Sequence, residues 1–184
     1  MEITILNWIQ ENLHEPVVDW LMILFTHLGE AGFVWIVLGV LMLCFRKSRK
    51  YGLLMLLSLL FTYLLGELLL KNIICRPRPF QSVEGIGLLI PAPWGYAFPS
   101  GHAGSSFAAA WILCKFNRKA GAAGLVLAVL IAFSRLYLYV HYPTDVLAGM
   151  VLGVLVAQTV YSVARRYFSF GIEARAEKVL RYRG

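Results

Sequence analysis

Long apolar runs separated by short polar segments dominate the chain. The runs cover residues 17–45, 53–70, 103–114, 120–140 and 146–163. They lack the alternation of apolar and polar residues that the strands of a membrane barrel require. A helix, in contrast, satisfies its own backbone hydrogen bonds in lipid. The pattern therefore predicts an all-α integral membrane helical bundle with about five spanning helices.

The first of these runs begins with a segment that is too short to span a bilayer. Residues 17–28 would form roughly 18 Å of helix, against about 30 Å of hydrocarbon. The sequence LGEAG at 28–32 separates this segment from the next helix. We therefore expect residues 3–13 and 16–28 to be interfacial or half-inserted helices, with the N-terminus outside. The alternative is one tilted, kinked span over residues 3–28, which would put the N-terminus inside.

The composition supports a membrane protein with a single domain. Of the 184 residues, 59% are hydrophobic and only 15% are charged, and the mean hydropathy is +0.69. These values lie outside ordinary soluble usage. We divide the domain into N-terminal interfacial helices (residues 1–30), a helical core (31–165) and a basic cytoplasmic tail (166–184).

The cysteines and the N-terminal residues exclude two other classes of feature. Cys44, Cys75 and Cys114 are odd in number and lack metal-type spacing. We expect free thiols and neither a disulfide framework nor a metal site. No basic segment precedes the first apolar run and no small-residue cleavage site follows it, so a removable signal peptide is not expected.

The basic residues predict the orientation in the membrane. The net charge is +7, which alone could suggest nucleic acid, but most of the 17 Lys and Arg residues lie at 46–50, at 115–119 and from 165 onward. By the positive-inside rule these segments and the C-terminus face the cytoplasm, so we expect no nucleic-acid partner. The remaining basic residues share the extracytoplasmic face; they are Lys71, Arg76, Arg78 and Arg135.

Three polar clusters fall on that outer face, at residues 71–79, 99–102 and 134–145. They supply fixed cations, two histidines, a carboxylate and a helix start, which together suit a phosphate. In the second cluster, Ser100 begins a helix whose free N–H groups form an anion site, and Gly101 lets the backbone approach a ligand. An ordinary helix N-cap explains the tetrapeptide at residues 99–102 equally well.

In the third cluster, His141 and Asp145 are four residues apart. On a helix that begins near Tyr142 or Pro143, the carboxylate can reach the imidazole. An ionised carboxylate on one ring nitrogen fixes the tautomer and makes the other nitrogen a better nucleophile or base. Taken alone, the pair fits a helix cap with an interfacial histidine better.

The joint spacing of the clusters resembles the three-part signature of the type 2 phosphatidic acid phosphatase (PAP2) superfamily. The matched residues are Lys71-x6-Arg78-Pro79, Pro99-Ser100-Gly101-His102 and Ser134-Arg135-x5-His141-x3-Asp145. The sequence THLG at 26–29 is also similar to membrane members of that family. The resemblance implies phosphotransfer without a metal ion or any other cofactor.

The resemblance also implies a role for each matched residue. His141 would attack phosphorus and form a phosphohistidine, while Asp145 orients it and stabilises its positive charge. His102 would protonate the leaving oxygen and later activate water. The phosphate oxygens would be held by Lys71, Arg78, Ser100, Gly101 and Arg135, as phosphotransfer requires.

Two further residues are accessory candidates. Glu67 precedes Lys71 by four residues, the favourable order for a helix pair, so a structural partner of Lys71 is the favoured interpretation over a catalytic role. Arg76 lies outside the signature. It either contacts a second phosphate of a diphosphate substrate or is an exposed loop arginine.

The loop at residues 80–98 is apolar and aromatic. Trp94, Tyr96 and Phe98 fit an interfacial belt or a lip that guides a substrate tail toward the phosphate site, and the second interpretation is slightly favoured.

The leading functional hypothesis is an integral membrane lipid phosphatase acting at the extracytoplasmic face. The short chain and outward-facing site resemble bacterial enzymes that recycle undecaprenyl diphosphate. Phosphatidate-type substrates remain open, as does the oligomeric state. A lipid phosphotransferase, which passes the phosphoryl group to another lipid, is the alternative. A catalytically silent membrane partner is a remote third.

Overall fold

A computed structural model describes the backbone of residues 1–83 and 85–181, with side chains as far as residue 167. Within these residues there are nine α-helices and no strand, which confirms the predicted all-α bundle. The helices are α1 (Glu2–Leu13), α2 (Pro16–Gly29), α3 (Phe33–Cys44), α4 (Arg49–Tyr63), α5 (Lys71–Ile74), α6 (Pro79–Ser82), α7 (Gly101–Phe116), α8 (Arg118–Tyr137) and α9 (Pro143–Arg181). For the basic tail predicted at 166–184, the side chains beyond residue 167 and the backbone beyond 181 lie outside the described residues.

Four stretches of the described helices are long and apolar enough to cross a membrane. They are Pro16–Cys44, Arg49–Ser82, Arg118–Tyr137 and Pro143–Tyr167. The predicted third span corresponds to α7, which has 16 residues and is shorter than the ~20 that a spanning helix needs. Helix α7 packs against α4, α8 and α9 and forms the centre of the bundle.

The N-terminal segment folds as two separate helices. The chain is extended at His14 and Glu15, between α1 and α2. The interfacial placement of these helices and an N-terminus outside stay predictions. At the predicted break after α2, Ala31 and Gly32 adopt positive φ angles of 49° and 71°. The chain therefore kinks between α2 and α3.

Helices α7 and α9 are in close contact because glycines face α7 from α9. A Cβ atom at Gly153 would overlap the carbonyl oxygen of Gly104, and one at Gly149 would overlap that of Ser100. The Ser100 N–H donates to the Asp145 carbonyl oxygen over 2.9 Å. The close contact therefore places the first turns of α7 and α9 side by side.

The N-terminal helices cover the turn between α8 and α9. Apolar residues of α1 and α2 pack on Tyr137, Leu138 and Val140, which are buried. Polar contacts add to this packing, since the Tyr139 hydroxyl donates to Asn7 Oδ1 over 2.6 Å and Gln10 Nε2 donates to the Tyr137 carbonyl over 2.8 Å. Helices α1 and α2 therefore hold the turn that precedes His141 in place.

We expect Gly153→Ala to lower the thermal stability of the protein in detergent. The added methyl group would have to separate α7 from α9, and overpacking of this kind costs about 1–3 kcal/mol. The unfolding temperature reports the change. Gly87→Ala is the matched control, because no atom lies within 4 Å of a Cβ added there. Equal unfolding temperatures for the two variants would contradict the packing argument.

Candidate active site

One cavity of about 630 Å³ brings the three polar clusters together. Its lining includes Lys71, Arg78, Gly101, His102, Arg135 and His141. Ser100, Asp145 and Arg76, which the sequence also singled out, are not lining residues. The cations and both histidines of the sequence prediction thus share one cavity, and Asp145 lies behind His141.

Arg78 is held by the chain around it. Its guanidinium donates to the carbonyl oxygens of Val140, Trp94 and Gly95, each over 3.0 Å. Its Nη1 also lies 3.3 Å from His141 Nε2. Arginine cannot accept a hydrogen bond, so Nε2 is the acceptor and the imidazole proton belongs on Nδ1. Arg78 therefore selects the tautomer of His141.

His141 itself is buried between Arg78 and Asp145. Its Nδ1 is 3.6 Å from Asp145 Oδ2, slightly longer than a hydrogen bond, and has no closer partner. Burial and the neighbouring Arg135 and Arg78 hold the pKa of His141 well below its ordinary value of 6.5. The imidazole is therefore neutral at physiological pH, and its Nε2 lone pair is available as a nucleophile or base.

A π-helical segment, Leu64–Leu70, places Glu67 and Lys71 in the cavity wall. Such segments are frequent at functional sites because they shift side chains out of the α-helical register. Lys71 Nζ donates to Glu67 Oε2 over 2.8 Å, which is the pairing that the sequence predicted. Glu67 is the one carboxylate among the lining residues that the structure describes, so the wall carries an excess of positive charge.

Thr26 of α2 holds two of the lining residues, and the sequence prediction missed it. Its hydroxyl accepts a hydrogen bond from Arg135, and its backbone carbonyl oxygen lies 3.1 Å from His102 Nε2. A carbonyl oxygen only accepts, so His102 carries a proton on Nε2. The sequence signal for Thr26 was the THLG segment, which marked a family likeness without indicating a contact.

The start of α7 has two distinct functions. The Ser100 hydroxyl is buried and accepts from the Ala103 N–H over 3.4 Å, so it caps the helix as the plain interpretation of this tetrapeptide expected. Gly101 lines the cavity, and a Cβ atom there would overlap the Glu67 carboxylate. The glycine therefore lets Glu67, as well as any ligand, approach the backbone.

Arg76 does not line the cavity. Its half-buried guanidinium forms ion pairs of 2.6 Å with Asp145 Oδ1 and with Glu2 Oε2. Contact of Arg76 with a second phosphate of a diphosphate substrate stays a prediction. Glu2 belongs to α1 and precedes Arg76 by 74 positions in the sequence. A contact between residues this distant leaves no local sequence pattern.

The charges around the cavity fit a tetrahedral oxyanion. Lys71, Arg78 and Arg135 are each less than 10% exposed, so their charges are poorly screened by water. Arg135 Nε is buried and has no hydrogen-bond partner among the described residues. A buried donor of this kind costs free energy unless a ligand accepts from it. These features are compatible with an anion in the cavity that His141 lines.

The chain is similar in sequence to known proteins. The sequence profile of the PAP2 superfamily matches residues 50–169. An undecaprenyl-diphosphatase of Sulfolobus acidocaldarius is 38% identical over 122 residues, which are 66% of this chain and 59% of that protein's length. The chain thus spans less than two thirds of this relative.

Solved structures resemble the fold as well. The crystal structure of Aquifex aeolicus LpxE superposes with a TM-score of 0.77 at 27% identity, covering 88% of this chain and 94% of that one. A transmembrane PAP2-type phosphatidylglycerolphosphate phosphatase from Bacillus subtilis gives a TM-score of 0.74 at 30% identity, covering 90% and 85%.

We expect Thr26→Val to weaken the binding of orthophosphate to the purified protein by about tenfold. The variant leaves the Arg135 guanidinium without its acceptor, and a hydrogen bond to a charged group contributes about 1.5–3 kcal/mol. Calorimetric titration measures the affinity. Thr26→Ser should bind orthophosphate as the parent does. Thr159→Val is the control, because the exposed Thr159 hydroxyl donates to the Leu155 carbonyl within α9, away from the cavity lining. Unchanged affinity in Thr26→Val would contradict the assignment.

Proposed function

The chain belongs to the PAP2 superfamily, and on that premise we propose that it is a membrane phosphatase that hydrolyses a lipid phosphate or diphosphate through a phosphohistidine. The observation that carries the proposal is the neutral His141 imidazole, whose Nε2 lies beside Arg78 in a cavity that Lys71 and Arg135 also line. Nucleophile and cations are thereby within reach of one phosphorus atom.

The cavity wall supports a substrate with a hydrocarbon tail. Beyond the cations it is lined by apolar residues of α3 and α4, among them Ile36, Leu56, Leu59, Leu60 and Tyr63. Ile36, Leu60 and Tyr63 are also exposed on the outside of these helices. The wall thus continues onto the surface that lipid would cover, and the exposed ring of Trp94 lies at the same cavity.

The shape of the cavity and the names of the relatives support a substrate class. One relative is named for undecaprenyl diphosphate and one solved structure for phosphatidylglycerolphosphate. An isoprenyl diphosphate is the substrate we propose, with a phosphatidate-type glycerolipid as the second candidate. Both carry a terminal phosphate on an apolar tail.

In the first half of the reaction, His141 Nε2 attacks phosphorus and the bond from phosphorus to the leaving oxygen breaks. Asp145, opposite Nδ1, stabilises the imidazolium that forms. His102 enters this step as an imidazolium whose Nε2–H is held by the Thr26 carbonyl, and it donates its Nδ1 proton to the leaving oxygen. The transferring oxygens are held by Lys71, Arg78, Arg135 and the Gly101 N–H, while Ser100 holds the first turn of α7 as its cap.

In the second half, water attacks the phosphohistidine and the bond between phosphorus and Nε2 breaks. His102 takes the proton of the water, which restores both histidines and releases orthophosphate. Discharge to the hydroxyl group of another lipid would follow the same steps and give a phosphotransferase.

The basic segments support an extracytoplasmic site. Helix α7 runs from Gly101 at the cavity to Phe116 in the segment 115–119. Tyr51, next to the segment 46–50, packs on Phe116 at the same end of the bundle. Both basic segments thus lie away from the cavity, and the positive-inside rule favours an extracytoplasmic position for the cavity.

We expect the purified protein to release orthophosphate from isoprenyl diphosphates faster than from phosphatidate, in excess EDTA. His141→Ala should reduce this release at least 1000-fold, because it removes the nucleophile, and vanadate should inhibit the parent. His27→Ala, at an exposed histidine, is the control. Undiminished release by His141→Ala would refute the catalytic assignment, and transfer of phosphate to an acceptor lipid with little free phosphate would favour the phosphotransferase.

The pH dependence gives a separate test. Only the neutral imidazole attacks, and the pKa of His141 is lowered by burial and by Arg135 and Arg78. His141 therefore stays neutral as the pH falls through 6.5. The decrease of kcat/KM toward acidic pH should accordingly be centred below pH 6.5. In Arg78→Gln this decrease should move to higher pH, because a cation beside His141 is removed. A decrease that is centred above pH 6.5 in the parent and moves to lower pH in Arg78→Gln would contradict the proposed electrostatics.

A further inference from the structure

We propose that Arg76 and Glu2 form a positioning pair that fixes the Asp145 carboxylate beside His141. Through Glu2, helix α1 then contributes to the geometry of the active site. This inference rests on the proposed phosphatase function. It assigns a role to Arg76 different from the one that its sequence position suggested.

The contacts of Arg76 form a bridge between three segments of the chain. Its Nη1 donates to Asp145 Oδ1 over 2.6 Å and to Thr144 Oγ1 over 2.7 Å, and its Nη2 donates to Glu2 Oε2 over 2.6 Å. The guanidinium lies over the ring of Tyr142, with Cζ 3.9 Å from the ring centroid. Both terminal nitrogens of Arg76 are thus engaged away from the cavity.

Glu2 holds the bridge from the side of α1. Its Oε1 accepts from the Thr144 hydroxyl over 2.6 Å and from the Thr144 N–H over 3.1 Å, so it caps the first turn of α9. Burial acts to raise the pKa of Glu2, but the bonds from Thr144 and Arg76 outweigh it and hold the pKa below its ordinary value. The carboxylate is therefore ionised whenever the bridge is present.

The contact with Arg76 keeps the Asp145 carboxylate ionised and fixes its orientation. The Asp145 side chain is fully buried, and a buried carboxylate without a partner would take up a proton or rotate away. Arg76 compensates the charge at Oδ1, while the Tyr142 N–H donates to Oδ2 over 2.8 Å. These two contacts fix the carboxylate with Oδ2 toward His141 Nδ1. Arg76 therefore acts on the attack step through Asp145, without touching the substrate.

The kinetic test is a double-mutant cycle on kcat and KM for phosphate release. Arg76→Ala should lower kcat about 10- to 100-fold with KM within twofold, the range found when a residue that orients a ligand of a catalytic metal ion is removed. In an Asp145→Asn background the same change should cost less than twofold, since the residue through which Arg76 acts is already altered. Arg76→Lys should recover part of kcat.

Glu2→Gln extends the test to α1. It should lower kcat in the same direction but by less than Arg76→Ala, because Arg76 keeps its contact to Asp145. Glu11→Gln, an exposed position on the same helix, is the matched control and should equal the parent.

Three kinetic results would overturn the inference. They are a parent-like kcat in Arg76→Ala, an equal loss in the presence and absence of Asp145→Asn, and a raised KM confined to diphosphate substrates. The last result would make Arg76 a ligand of a second phosphate after all.

A spectroscopic measurement separates this inference from the proposed function. The chain has only 4 histidines, so ¹⁵N spectra of histidine-labelled protein in micelles can resolve His141. Because Arg78 keeps the proton on Nδ1 in every variant, the readout is the ¹⁵N shift of His141 Nδ1, which responds to the carboxylate beside it. We expect Arg76→Ala to move this shift toward that of an Nδ1–H without a carboxylate neighbour, with Arg76→Lys and Glu2→Gln between Arg76→Ala and the parent. Failure of the parent to hydrolyse any lipid phosphate would remove the proposed function alone. Identical Nδ1 shifts of His141 in the parent and these variants would remove the positioning pair.

Discussion

The arrangement depends on one electrostatic constraint, the burial of three cations around a single cavity. Lys71, Arg78 and Arg135 repel one another where little water screens them, so the surrounding chain must supply acceptors. Glu67 and Thr26 supply them for Lys71 and Arg135, and backbone carbonyls supply them for Arg78. The positive charge that these contacts leave uncompensated suits a phosphate.

The rest of the fold holds this cluster together. The glycines of α9 bring its first turn against that of α7, which places Asp145 beside the helix that carries His102. Helices α1 and α2 then cover the turn before His141 and contribute Glu2 and Thr26 to its surroundings. In this account the N-terminal helices are structural supports of the reaction, in addition to any contact they make with the membrane surface.

The sequence predicted the features that depend on local pattern. The helix starts at Ser100 and Pro143, the break after α2 and the pairing of Glu67 with Lys71 all follow from neighbouring residues. The contacts of Arg76 and Thr26 could not be predicted in this way. Arg76 meets Glu2 across 74 positions, and Thr26 meets Arg135 across 109. Such contacts arise from the packing of α1 and α2 on the bundle, which no short-range spacing encodes.

The most direct test of the phosphohistidine proposal is a crystal structure of the protein with vanadate, which adopts the five-coordinate geometry of phosphorus under attack. The account predicts vanadium bonded to His141 Nε2, with its oxygens contacted by Lys71, Arg78 and Arg135 and with His102 on the opposite side. Vanadate bonded to another side chain, or bound outside the cavity that both histidines line, would contradict it.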